Sequence, residues 1–73
     1  MITIYSLEGC PFSIAAEKLV ASKLPASKYD INRVSHDEKS KYKKLHSYNT
    51  FPQVFVGNEL IGGYNELVKY LKP

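Results

Sequence analysis

The stretch Ile2-Thr3-Ile4-Tyr5-Ser6-Leu7-Glu8-Gly9-Cys10-Pro11-Phe12-Ser13 changes its hydrophobic period part-way along. Ile2 to Ser6 is β-branched and aromatic, with Ile2 and Ile4 on one face, and reads as a strand. From Pro11 onward, Phe12, Ala15, Ala16, Leu19 and Val20 recur at three- and four-residue intervals, the spacing of an amphipathic helix. Proline suits the first turn because its missing N–H would have no intrahelical partner, and Leu24-Pro25 ends the helix. Gly9 and Pro11 thus mark a strand-to-helix corner, and Cys10 sits on it. A sulfur at the mouth of a helix meets unpaired N–H groups and the positive end of the dipole. Both favour thiolate over thiol. Only the thiolate is a competent nucleophile, so the position points to chemistry. A lone cysteine in an apolar run would instead be read as inert packing.

Working outward, Lys28 to Val34 alternates Tyr29 and Ile31 against Asp30 and Asn32, a weaker strand. Asp37 to His46 is a polar helix, acidic first and lysine-rich later, an order that complements the helix dipole. Its apolar stripe is only Tyr42 and Leu45, which places it on the surface. Gln53-Val54-Phe55-Val56 and Glu59-Leu60-Ile61 flank Gly57-Asn58, a hairpin signal. Gly62-Gly63 breaks the strand, and Asn65 to Leu71 forms a final helix before Pro73. The order is β-α-β-α-β-β-α. Strands joined through a helix run parallel with a right-handed crossover, and the hairpin adds an antiparallel edge. The expected fold is α/β, a four-stranded mixed sheet flanked by three helices. Cys10 falls at the C-terminal end of the first strand, where open α/β sheets place their ligands.

With 73 residues, the chain is expected to form a single domain, 1–73. A chain this small buries only about 60% of its unfolded surface, and one cysteine cannot form an internal disulfide, so packing alone must hold it. Secreted domains of this size carry several cysteines. No stretch approaches the ~20 apolar residues of a membrane span, and no signal-peptide pattern is present. A soluble, monomeric protein of the reducing cytoplasm is expected. Ten Lys and Arg against seven Asp and Glu leave a net charge of +3, too mild to argue for nucleic acid. His36 and His46 lack metal-ligand spacing and are read as surface residues, so no metal is expected. The tyrosines are read as core edges, with Tyr48 placed at the border of a ligand groove.

Three separated segments resemble one family. Tyr5-Ser6-Leu7-Glu8-Gly9-Cys10-Pro11-Phe12-Ser13 is similar to the active-site loop of glutaredoxins, Thr50-Phe51-Pro52 to their Thr-Val-Pro segment, and Gly62-Gly63-Tyr64-Asn65-Glu66-Leu67 to their Gly-Gly-x-Asp-Asp-Leu motif. The intervals and element order also fit, so the resemblance covers essentially the whole chain, at the minimal length of a thioredoxin-like fold. It implies a glutathione–disulfide oxidoreductase with Cys10 as catalytic nucleophile and glutathione as co-substrate. Glutathione would lie against Phe12, Thr50, Phe51, Pro52, Gly63, Tyr64 and Asn65. The Phe51–Pro52 bond would be cis, presenting the Phe51 backbone to the ligand. The helix N-terminus at Tyr64 and Asn65 would receive the γ-glutamyl carboxylate.

The departures from the pattern are specific. Ser13 stands where dithiol members carry a second, resolving cysteine, which leaves a monothiol route acting on glutathionylated proteins or small mixed disulfides. Leu7 replaces a lysine that helps hold the thiolate, leaving the helix terminus as its main stabiliser. Lys39, eleven residues before Thr50, occupies a region where the family contacts the glycine carboxylate of glutathione. Lys41, Lys43 and Lys44 read as a solvated helix face. Asn65 replaces an aspartate and weakens the contact with the glutathione α-amine, and Phe12 replaces a tyrosine. Two other readings stand beside the enzymatic one: a glutathione-ligated [2Fe–2S] glutaredoxin and a non-catalytic glutathione-binding adaptor. Pro11 weighs against the first, since cluster-binding members carry glycine there. Leu7 and Asn65 favour the second.

Overall fold

A computed structural model describes residues 1–72. Six-residue β1 (Ile2–Leu7) leads through the Cys10 corner into α1 (Pro11–Lys23). A single 3-10 turn, Ala26–Lys28, precedes β2 (Tyr29–Val34), and α2 (Lys39–His46) follows. The hairpin is β3 (Gln53–Val56) and β4 (Glu59–Gly62), and α3 (Tyr64–Leu71) closes the described chain. The sheet order is β2-β1-β3-β4. β1 and β2 are parallel, while β1–β3 and β3–β4 are antiparallel. The expected α/β architecture, a mixed sheet of four strands with three helices, is the one observed.

The pleat sorts side chains by period two. Ile2 and Ile4 of β1 and Val54 of β3 join Ala16 and Val20 of α1 and Leu67 of α3 in one buried cluster. Thr3, Tyr5 and Phe55 point to the opposite face, where Tyr5 stacks against Tyr42 and His46 of α2. Two helices therefore cover one face and the short basic helix covers part of the other.

Several boundaries and facings differ from the sequence reading. The buried stripe of α1 is Ser13, Ala16 and Val20, whereas Phe12 is 62% exposed. The expected face holds for Ala15, Ala16, Leu19 and Val20, which are buried or half-buried, and only the first turn departs from it, with Ser13 inward and Phe12 outward. The helix after β2 starts at Lys39, not Asp37, because Ser35 to Glu38 form a turn in which the Glu38 carboxylate accepts from the Ser35 N–H. Leu45 is 66% exposed, so Tyr42 and His46, not Tyr42 and Leu45, seat α2 on the sheet. Gly62 ends β4 instead of breaking it, and α3 begins one residue early at Tyr64. Lys28 belongs to the 3-10 turn, and β2 starts at Tyr29.

Leu67 is fully buried and Leu45 lies on the surface. Leu67→Ala should cost about 2–5 kcal/mol and Leu45→Ala less than about 0.5 kcal/mol. Urea unfolding midpoints of the two variants, at unchanged m, check this difference.

Candidate functional site

Cys10 is the extended residue (φ −81°, ψ 121°) immediately before α1. Its N–H donates to the Leu7 carbonyl at 3.1 Å, closing the turn through Gly9, and its own carbonyl accepts the first helical bond from Ile14. The corner is anchored from several sides. The Glu8 N–H donates to Val34 at 2.9 Å, prolonging the β1–β2 ladder. The buried Ser13 hydroxyl accepts the Leu7 N–H at 3.0 Å, so the position that lacks a second sulfur holds the end of β1 to the first turn of α1. The Ser6 hydroxyl donates to the Glu17 carboxylate, which also receives Arg33 at 2.9 Å. Burial pushes the Glu17 carboxyl up, but the hydrogen bonds from Ser6 and Arg33, with the Arg33 charge, outweigh it and hold the group below its ordinary range.

The sulfur is partly exposed and its thiol points at the Phe51 carbonyl, 3.8 Å away. The Phe51–Pro52 peptide bond is cis. Phe51 and Pro52, with Tyr48 and Thr50, form one side of a groove of about 250 Å³. Gly63, Tyr64, Asn65 and Glu66 form the other, and Phe12 completes the lining, its ring 6.1 Å from that of Tyr64. Eight residues singled out in the sequence, Tyr48 among them, thus meet in one groove, with Cys10 beside it through the Phe51 contact. Lys39 does not line it. A larger cleft, about 380 Å³, is bordered by Leu7, Glu8 and Gly9 with Glu17, Arg33 and Glu38, and shares no residue with the groove.

The start of α3 supplies the groove's polar character. The Glu66 carboxylate turns back to accept the Gly63 N–H at 2.8 Å. That bond, then the N–H of Glu66 itself and the charge of Lys69, holds the Glu66 carboxyl below its ordinary value. The N–H groups of Tyr64 and Asn65, in the first turn, have no intrahelical acceptor. Gly62 has φ +135°, and a Cβ there would stand 2.5 Å from the Glu66 side chain, so glycine keeps this carboxylate in place.

The family model for glutaredoxin matches residues 2–61. The chain belongs to the glutaredoxin family. Among glutaredoxins it is 34% identical over 68 residues to glutaredoxin 1 of Rickettsia prowazekii, an alignment that covers 90% of this chain and 72% of that protein. It is 32% identical over 68 residues to monothiol glutaredoxin-3 of Schizosaccharomyces pombe, covering 85% of this chain but 41% of that longer protein. The crystal structure of Francisella tularensis glutaredoxin 1 complexed with cacodylate superposes with a TM-score of 0.73 at 26% identity, covering 93% of this chain and 87% of that one. Glutaredoxins are thiol oxidoreductases that use glutathione as a partner, and the sequence has one cysteine, Cys10. Among the described residues, no helix is long and apolar enough to cross a membrane.

Two groups near this glutaredoxin's groove escape a sequence reading. His46 is not a free surface residue. It is half-buried between Tyr5 and Phe55, and its Nδ1 lies 2.7 Å from the Gln53 amide oxygen. Gln53 is fully buried and its amide nitrogen donates to the Tyr48 carbonyl at 2.9 Å. The available signal was a lone polar residue opening the apolar run Gln53-Val54-Phe55-Val56.

A carboxyl whose folded pKa lies below its unfolded value stabilises the fold above that unfolded value, and the contribution disappears as pH falls through the folded pKa. For Glu66 the ordinary value is 4.5. Glu66→Gln should therefore lower the thermal midpoint at pH 7, and the gap from wild type should close as the solution is acidified below pH 4.5. Thermal unfolding followed between neutral and acid pH measures it.

Proposed function

We propose that this chain is a glutathione-dependent thiol–disulfide oxidoreductase that removes glutathione from mixed disulfides by a monothiol route. The observation that carries the reading is the partly exposed Cys10 sulfur, at the N-terminus of α1 and 3.8 Å from the Phe51 carbonyl that borders the groove. The Cys10 thiolate attacks the glutathione-side sulfur of R–S–SG. A Cys10–SG disulfide forms and R–S⁻ leaves. The thiolate of a second glutathione then attacks the glutathione sulfur of that adduct, giving oxidised glutathione and the Cys10 thiolate again. Ser13 is no thiol, so no internal disulfide competes with the second step.

In this reading the bound glutathione runs along the groove. Its backbone pairs with Phe51, its γ-glutamyl carboxylate meets the N–H groups of Tyr64 and Asn65, and Phe12 and Thr50 flank it. Lys39 lies outside the lining and is assigned no contact in this reading. The setting is a reducing cytoplasm, and the working unit is the single monomeric domain. Support comes from the family membership, from the convergence of three motif segments, and from the likeness to a relative named as monothiol.

Wild-type protein should deglutathionylate a small mixed disulfide and acquire one glutathione adduct, located on Cys10 by mass spectrometry. Cys10→Ser should fall to background, and equal activity in that variant ends the reading. An adduct that forms on wild type without turnover assigns the groove to binding alone. Ser13→Ala should keep turnover while losing about 1–3 kcal/mol of stability, because the Leu7 N–H is left unpaired. Paired turnover and urea-unfolding measurements read both effects.

A further inference from the structure

Asn49 to Pro52 carries one side of the groove, yet no backbone–backbone hydrogen bond of the described residues uses a group of that segment. The segment is held at its ends. At the upstream end Ser47, in the left-handed region (φ 53°), turns the chain out of α2, and the Tyr48 N–H donates to the Lys43 carbonyl at 3.1 Å. The Tyr48 carbonyl is held only by the buried Gln53 side chain, from the residue directly after Pro52.

The amide of Gln53 has two ends, and the carbonyl of Tyr48 can only accept. The NH₂ end must therefore face Tyr48 and the oxygen must face His46. That orientation requires a proton on Nδ1 of His46, since an unprotonated Nδ1 would set two acceptors 2.7 Å apart. The ring cannot swing away freely. It packs 4.6 Å from Tyr5 and 4.7 Å from Phe55, measured between centroids.

We propose that His46 and Gln53 are positioning residues for the thiol–disulfide reaction. His46 Nδ1–H fixes the Gln53 amide, which clasps Tyr48 and holds the Tyr48–Pro52 side of the groove at the distance a glutathionyl group needs. Neither residue touches the reacting sulfur. The inference rests on the glutathione reading of the groove and names what keeps that groove formed.

Losing the His46 donor weakens binding of the glutathionyl substrate without altering the chemical step. His46→Phe keeps the ring packing and removes the donor, whereas His46→Asn keeps a donor near Nδ1 and removes most of the ring. With a small glutathione mixed disulfide, His46→Phe and Gln53→Met should raise KM about fivefold, equivalent to about 1 kcal/mol, with kcat unchanged. His46→Asn should restore KM. Nitrogen shifts of the His46 ring in the wild-type protein should place the neutral-form proton on Nδ1, and exchange of the Tyr48 amide, which is bonded to the Lys43 carbonyl, should quicken in His46→Phe but not in His46→Asn. A proton on Nε2, an unchanged KM in both deficient variants, or exchange that follows ring packing instead of the donor overturns the inference. If wild type does not turn over glutathione disulfides at all, the glutathione reading fails. The nitrogen shifts and amide exchange then still decide whether the clasp holds this segment.

Discussion

The antiparallel register of β1 on β3 is the constraint on which the site depends. Ile4 pairs with Val54 and Tyr5 with Gln53. With those pairs set, Phe51 and Pro52 emerge from the start of β3 alongside the end of β1, and the Phe51 carbonyl meets the Cys10 sulfur. Sliding the pairing by one residue would exchange the two faces of β3. Val54 would leave the core, Gln53 would lose both partners, and the wall of the groove would move away from the thiol. The core supports this register from one face through Ile4, Val54 and Leu67, and the Tyr5–His46–Phe55 cluster supports it from the other.

Polar groups inside the fold carry as much of the architecture around the sulfur as the apolar core does. Among the described residues Ser6, Ser13 and Gln53 are the buried polar side chains, and each ties an element next to the site. Ser6 links β1 to Glu17 of α1, Ser13 links α1 back to β1, and Gln53 links β3 to the segment before it. Among the described residues, no buried side-chain nitrogen or oxygen lacks a partner. A small domain with one thiol and no cross-links relies on such satisfied contacts for a defined corner, because an unpaired buried group is costly.

The element order and the groove were legible because local patterns specify them: period two in Ile2–Tyr5, proline at the start of a helical period, Gly57-Asn58 between alternating runs, and three motif segments at fitting intervals. What the pattern could not reveal was rotation and partnership. Phe12 belongs to a helical stripe by spacing alone, whereas Ser13 turns inward to meet the Leu7 N–H on β1, a partner no helical pattern reveals. His46 looked like a surface histidine because its neighbours Tyr5 and Phe55 are distant in sequence. The early turn at Ser35–Glu38 escaped because an acidic residue before lysines fits a helix start as well as a turn that caps itself.

Ser13 and a cysteine differ at the γ position by one atom, oxygen against sulfur. That oxygen is the acceptor for the Leu7 N–H. Sulfur accepts more weakly and sits on a longer bond. A lineage that exchanged one atom for the other would therefore change two properties together. It would gain a second thiol one helical turn from Cys10 and slacken the joint between its first strand and first helix. The same side-chain position thus bears both on the number of thiols at the corner and on how firmly the corner is held.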